Sequence, residues 1–145
     1  MNVIEKMKDI LSGCALMDEF NGIHIDYTNP KDDYAALFPN GSVKTGEDII
    51  GNPQYRISFR LYSVLHAPLD YDRLKNSDFL LMLTYYLDSV KYVGITETIN
   101  GIEYPGEITR IICSNALFYD VPTGDLNDGI RYQLQISVEY TIEIE

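Results

Sequence analysis

Apolar positions along the chain recur with two periods, one near 3.6 residues and one of 2, and these divide the sequence into helices and strands. Val3, Ile4, Met7, Ile10, Leu11 and Cys14 form a single stripe, which predicts an amphipathic helix closing at Gly13. A short strand is predicted over 22–28, with Ile23, Ile25 and Tyr27 on one face, and Asn29-Pro30 breaks it. Tyr34–Phe38 reads as the return strand, ended by the turn residues Pro39-Asn40-Gly41. Residues 40–53 hold three glycines, one proline and no period, the marks of a long surface loop. Alternation resumes over Gln54–His66, with Tyr55, Ile57, Phe59, Leu61 and Leu65 on one side and Arg56, Ser58, Arg60, Tyr62 and His66 on the other.

Pro68 ends that strand, and Asp70 or Asp72 can cap the principal helix, which runs to about Val90 on the spacing of Leu80, Leu83, Leu87 and Val90. Ser77 offers a restart point within it. The remainder is strand-rich. Asn100-Gly101 predicts a two-residue hairpin turn between Thr96–Ile99 and Ile102–Tyr104. Ile108–Tyr119 follows as a strand and 122–129 as a loop. From Tyr132 to Ile144 every second residue is apolar, so one face is buried and the other meets water or a partner. The predicted order is α-β-β-β-α-β-β over a single α+β domain, residues 1–145. Its sheet is mixed and mostly antiparallel, with two helices packed on one face.

Charge changes the picture. Against 11 Lys+Arg stand 22 Asp+Glu, a net charge of -11, which excludes general and sequence-specific nucleic-acid binding because phosphate contacts need a basic surface. The acidity is unevenly placed. Residues 1–50 hold nine acids and four bases, residues 93–145 nine acids and two bases, and the segment between them four acids and five bases. The longest apolar run, Phe79–Leu83, is far too short for a membrane span, and the opening segment mixes acids with bases where a secretory leader would be apolar. Two cysteines, Cys14 and Cys113, exclude a disulfide framework and read as free thiols of a reducing compartment.

Candidate chemistry is sparse. Gly41-Ser-Val-Lys-Thr-Gly46 has the glycine spacing of a phosphate loop, but Glu47-Asp48 follow where Lys and Ser/Thr are needed. Asp125-Leu-Asn-Asp-Gly129 resembles a calcium loop only in its acidity, since Gly129 and Ile136 fall where oxygen ligands belong. His24 and His66 are the only histidines, and no Cys or His pair has metal-ligand spacing. A Cys113–His66 or Cys14–His24 pair lacks any nucleophile motif. The acidic doublets Asp18-Glu19, Asp32-Asp33 and Glu47-Asp48 read as solvated acids. No catalytic, cofactor or metal site is expected, and the chain is read as a non-enzyme.

Taken in order, several segments resemble the tail terminator (minor tail, head–tail joining) proteins of phages and prophages of Gram-positive bacteria. They are Phe20-Asn-Gly-Ile-His-Ile-Asp-Tyr-Thr28, Asp33-Tyr34, Leu37-Phe38-Pro39-Asn40-Gly41, Glu47-Asp48-Ile49-Ile50-Gly51-Asn52, Tyr55–Tyr62 and Asp78-Phe79-Leu80. The resemblance implies a virion tail protein, assembled in the host cytoplasm, that forms a ring, commonly a hexamer. Such a ring docks on the last ring of tail-tube protein, halts polymerisation and offers a surface to the head-side connector protein. On that reading the 40–53 loop orders on docking, and the final strand pairs with a neighbour's sheet. Lys44, Glu47, Asp48, Arg56, Arg60 and Tyr62 are the candidate interface residues. Arg56 and Arg60 have an equal alternative, cross-strand pairing with Glu139 or Glu143 within one chain. An acidic bore would keep DNA from sticking to the ring wall. The competing class is a small acidic immunity or inhibitor protein that masks a basic partner.

Overall fold

The computed structural model describes the backbone of residues 1–14, 23–25, 34–65, 81–120 and 130–144, with side chains over 1–14, 37–62, 81–114 and 133–144. Helix α1, Val3–Ser12, begins where Asn2 Oδ1 accepts from the Glu5 amide at 2.9 Å. The Val3 amide, a second unpaired donor of the first turn, donates to Glu97 Oε1 at 2.8 Å. A carboxylate distant in sequence thus sits at the positive end of the helix. Val3, Met7, Leu11 and Cys14 are buried and Ile4 and Ile10 pack at the margin, so the predicted stripe is the buried one. Gly13 ends the helix in right-handed geometry, with φ -78°.

Among the described residues six strands form one sheet: β1 (Ile23–Ile25), β2 (Tyr34–Glu47), β3 (Pro53–Leu65), β4 (Val93–Ile99), β5 (Ile102–Asp120) and β6 (Ile130–Ile142), in the spatial order β1-β2-β3-β6-β5-β4. β1 lies parallel to β2, and the other neighbours are antiparallel. The fold is therefore α+β with a mixed, mostly antiparallel sheet. Residues 81–88 are helical and bury Leu83 and Leu87. Both helices share the core lined by Ile57, Phe59 and Leu61 of β3 and their partners Val138, Ile136 and Leu134 of β6. The Tyr86 hydroxyl, from the second helix, donates to the Ile10 carbonyl of α1 at 3.1 Å. The two helices thus cover one face, as expected.

Five expectations need correction. Three strands, not two, follow the second helix. β5 runs on through Pro105-Gly106 because the β6 ladder ends at Gly106↔Ile142, so the missing Pro105 amide breaks no ladder bond, while its carbonyl accepts from Glu143. Tyr34–Phe38 does not return against the first strand, since β1 and β2 are parallel. Pro39-Asn40-Gly41 is not a turn. Pairing passes from Pro39↔Phe59 to Gly41↔Ser58, leaving Asn40 as a bulge with Gly41 at φ 113°.

The 40–53 loop is in fact the arm of a hairpin, with β2 continuing to Glu47 and only 48–52 turning. Residues 40–45 are all exposed, so an extended backbone leaves no apolar alternation to read. The final strand, β6, buries Leu134, Ile136, Val138, Tyr140 and Ile142, as its alternation predicts. It lies between β3 and β5, however, and has no edge to offer a neighbour. The start of the principal helix at Asp70 or Asp72, the Ser77 restart, His66, the side chain of His24 and the 122–129 loop lie outside the described residues.

Candidate functional site

The sheet face opposite the helices carries the predicted arginines. Strand alternation places Arg56, Ser58, Arg60 and Tyr62 there, beside Gln133, Gln135 and Glu139 of β6. Arg56 Nη2 binds Glu139 Oε1 at 2.8 Å, and Arg110 Nε reaches Glu139 Oε2 at 3.3 Å. Cross-strand pairing within the chain therefore claims Arg56. Arg60 stands opposite Gln135, is exposed, and has no carboxylate within ion-pair distance among the described residues. Tyr62 meets Phe38 edge-on, ring centroids 5.2 Å apart. Exposed ion pairs contribute only about 0.2–1 kcal/mol, so this cluster sets the sign of the face more than it holds the fold. Arg56 and Arg110 share one glutamate and Arg60 stands four positions further along β3, so among the described residues this stretch of the face holds more arginines than carboxylates.

The hairpin between β2 and β3 supplies the other candidates. Lys44 and Glu47 pair at 3.0 Å on its exposed arm. Asp48 turns inward, accepting from the Ile50 amide at 3.1 Å, the Asn52 amide at 2.9 Å and Asn52 Nδ2 at 3.2 Å. Gly51, at φ 91°, supplies the left-handed residue that a three-residue hairpin turn requires. Asn52 is 3% exposed, and its Oδ1 accepts from the Ile144 amide at 3.1 Å, pinning the turn to the chain after β6. Asp48 is thus the residue that builds the turn.

What the turn presents is Ile49 and Ile50, 104% and 68% exposed. Neither was a candidate from sequence. The available signal was two β-branched apolar residues at turn positions that ordinarily take Asn, Asp, Gly or Pro. Replacing Asn52 with alanine is expected to lower stability by about 1–3 kcal/mol, because the Ile144 amide and the Asp48 carboxylate lose buried partners. Ile49→Ser should leave the urea midpoint unchanged. An Asn52→Ala midpoint equal to that of the wild type would show that the tip is not held by Asn52.

At β4 the Thr96 amide donates to the Met1 carbonyl at 2.8 Å. β1 pairs with β2 only at Ala35–Leu37, and beyond it Pro39, the two register shifts and Lys44 blunt the edge against strand addition. The hairpin tip, with Ile49 and Ile50, is one of several exposed apolar sites, Met82 and Tyr85 of the second helix and Tyr92 being others.

A polar cleft of about 500 Å³ between the tip and the ends of β5 and β6 is lined by Asp48, Asn52, Glu107, Thr109 and Glu143, among others. Cys14 is buried. Cys113 is half-buried, and burial, aided by the charge of Asp88, pushes its thiol up to about 12, so it stays protonated at neutral pH. Gly41–Gly46 lies in extended strand, not in a loop opening a helix. Among the described residues no group of three or more Cys, His, Asp or Glu could hold a metal, and no helix is long and apolar enough to cross a membrane.

Burial is also the main cause that raises the Tyr140 and Tyr86 hydroxyls above the usual phenol range. All three groups release protons more readily in the unfolded chain. Stability is then fully present below the unfolded thiol value, about 8.5, and falls as pH rises toward 12. Urea midpoints taken from pH 8 to 11 should decline, less steeply in Cys113→Ala. A flat profile would contradict the raised values.

No known protein-family profile matches the chain. No curated protein sequence matches it either.

Proposed function

We propose that this chain is a phage or prophage tail terminator. It acts as a ring that caps the tail tube, stops its polymerisation and joins it to the head-side connector. The observation that carries the reading is the hairpin tip: two isoleucines held in water by a preorganised turn, as a contact made on assembly requires. The segment resemblance to tail terminators and the open arginine-bearing sheet face support it. The work is done by surfaces: the ring covers the growing end of the tube, so the next tube subunit finds no free site. Its place is the virion tail, assembled in the host cytoplasm. Excess acid on the bore wall would repel the duplex as it slides through, and a ring with a basic bore would overturn that detail.

The second reading is an acidic inhibitor or immunity protein. The acid-lined cleft with Glu107 and Glu143 favours it, since such a cleft suits a cationic side chain of a partner. Light scattering and negative-stain microscopy, with and without a tail-tube protein, separate the two. Rings of fixed size and arrested tube growth are expected. A monomer that leaves tube growth untouched and binds one cationic protein tightly would replace this reading with the second.

A further inference from the structure

The two contact surfaces on this chain have opposite character. At the tip, Ile49 and Ile50 project into water beside Glu47 and Asp48, with Lys44 already paired to Glu47. On the open face, Arg60 lies beside the Phe38–Tyr62 ring pair, with Arg56 and Arg110 nearby around a single carboxylate, Glu139. An apolar, acid-flanked tip and an aromatic, arginine-bearing patch are both apolar at their centres and opposite in sign at their margins.

One chain cannot join them. Arg60 stands eight positions along β3 from Asn52 at the base of the turn, roughly 27 Å at the rise of an antiparallel strand. The strand is held straight against β6 over that stretch, from Gln54↔Thr141 to Arg60↔Gln135.

We propose that the hairpin tip of one copy docks on the Phe38–Arg60–Tyr62 patch of a second copy of this chain. Ile49 and Ile50 lie on the aromatic pair, and Arg60 faces the acidic flank of the incoming turn. The two surfaces are different parts of one chain, so the contact is heterologous, and its repetition closes a ring or runs on as a filament. This assigns the subunit contact of the ring and rests on the tail-terminator reading. The turn needs no folding on contact, because Asp48 and Asn52 already hold it.

The test is cysteine cross-linking in full-length chain carrying Cys113→Ser, in which the remaining Cys14 is buried. Ile50→Cys and Ser58→Cys together should give a ladder of covalent multimers under mild oxidation. Each alone should give little, and a mixture of the two single variants should stop at dimers. Arg60→Glu should reduce the ladder at least tenfold, and adding Glu47→Arg in the same chain should restore part of it.

Efficient dimerisation of Ile50→Cys alone would overturn the proposal in favour of a tip-to-tip, two-fold contact. Rings seen by light scattering without a ladder would overturn the docking while leaving the ring reading intact. A chain that stays monomeric, alone and with tail-tube protein, would overturn both.

Discussion

Phe59→Ala is expected to cost about 3–5 kcal/mol, a large share of the roughly 5–15 kcal/mol that keeps a domain folded. Phe59 is 1% exposed and is among the largest fully buried side chains. It sits on β3 between Pro39 of β2 and Ile136 of β6, on the face that both helices cover. Close neighbours on several sides belong to regular strands, so the cavity left by the ring cannot collapse cheaply. Urea unfolding should show the midpoint collapse with little change in slope. A loss below about 1 kcal/mol would mean that the core does not close around β3.

Gly106 carries the second large effect. A Cβ there would lie 2.6 Å from the Thr141 carbonyl oxygen and 3.2 Å from Ile95 Cγ1. The oxygen belongs to the backbone of β6, which is held by β5 on one side and β3 on the other. It cannot step aside without opening a ladder. Gly106→Ala is expected to lose about 1–3 kcal/mol and Gly106→Val more, because overpacking against a fixed strand is relieved only by moving it. Gly94→Ala is the control: its Cβ would meet nothing within 4 Å, so it should be neutral or slightly stabilising. If both glycine variants unfold at the wild-type midpoint, β5 and β6 are not locked as described.

Several elements were legible because their signal is local. The α1 stripe, the faces of β3, the buried residues of β6 and the Asn100-Gly101 turn all follow from residue spacing or from two adjacent φ values. The hairpin arm over 40–47 was not legible, because it is exposed on both faces and held by backbone bonds to β3 that leave no trace in composition. Gly41 signals a positive φ in a turn and in a bulge alike, and only its pairing with Ser58 distinguishes them. Of the candidate interface residues, Arg60 and Tyr62 keep the surface position their alternation implied. Arg56 is drawn to Glu139, and Asp48 is consumed by the turn.

By itself the sequence determined which residues leave water, because burial imprints a period on the chain wherever an element has one covered face. It also determined the net charge of -11 and its concentration at the two ends. Only the tertiary structure decided which strands are neighbours. It set β6 at the centre of the sheet, brought Arg56 and Arg110 onto one glutamate and held two isoleucines out at the end of a hairpin. Those outcomes depend on pairings between residues about 80 positions apart, such as Arg56 with Glu139. No periodicity along the chain encodes which distant partner a strand will meet.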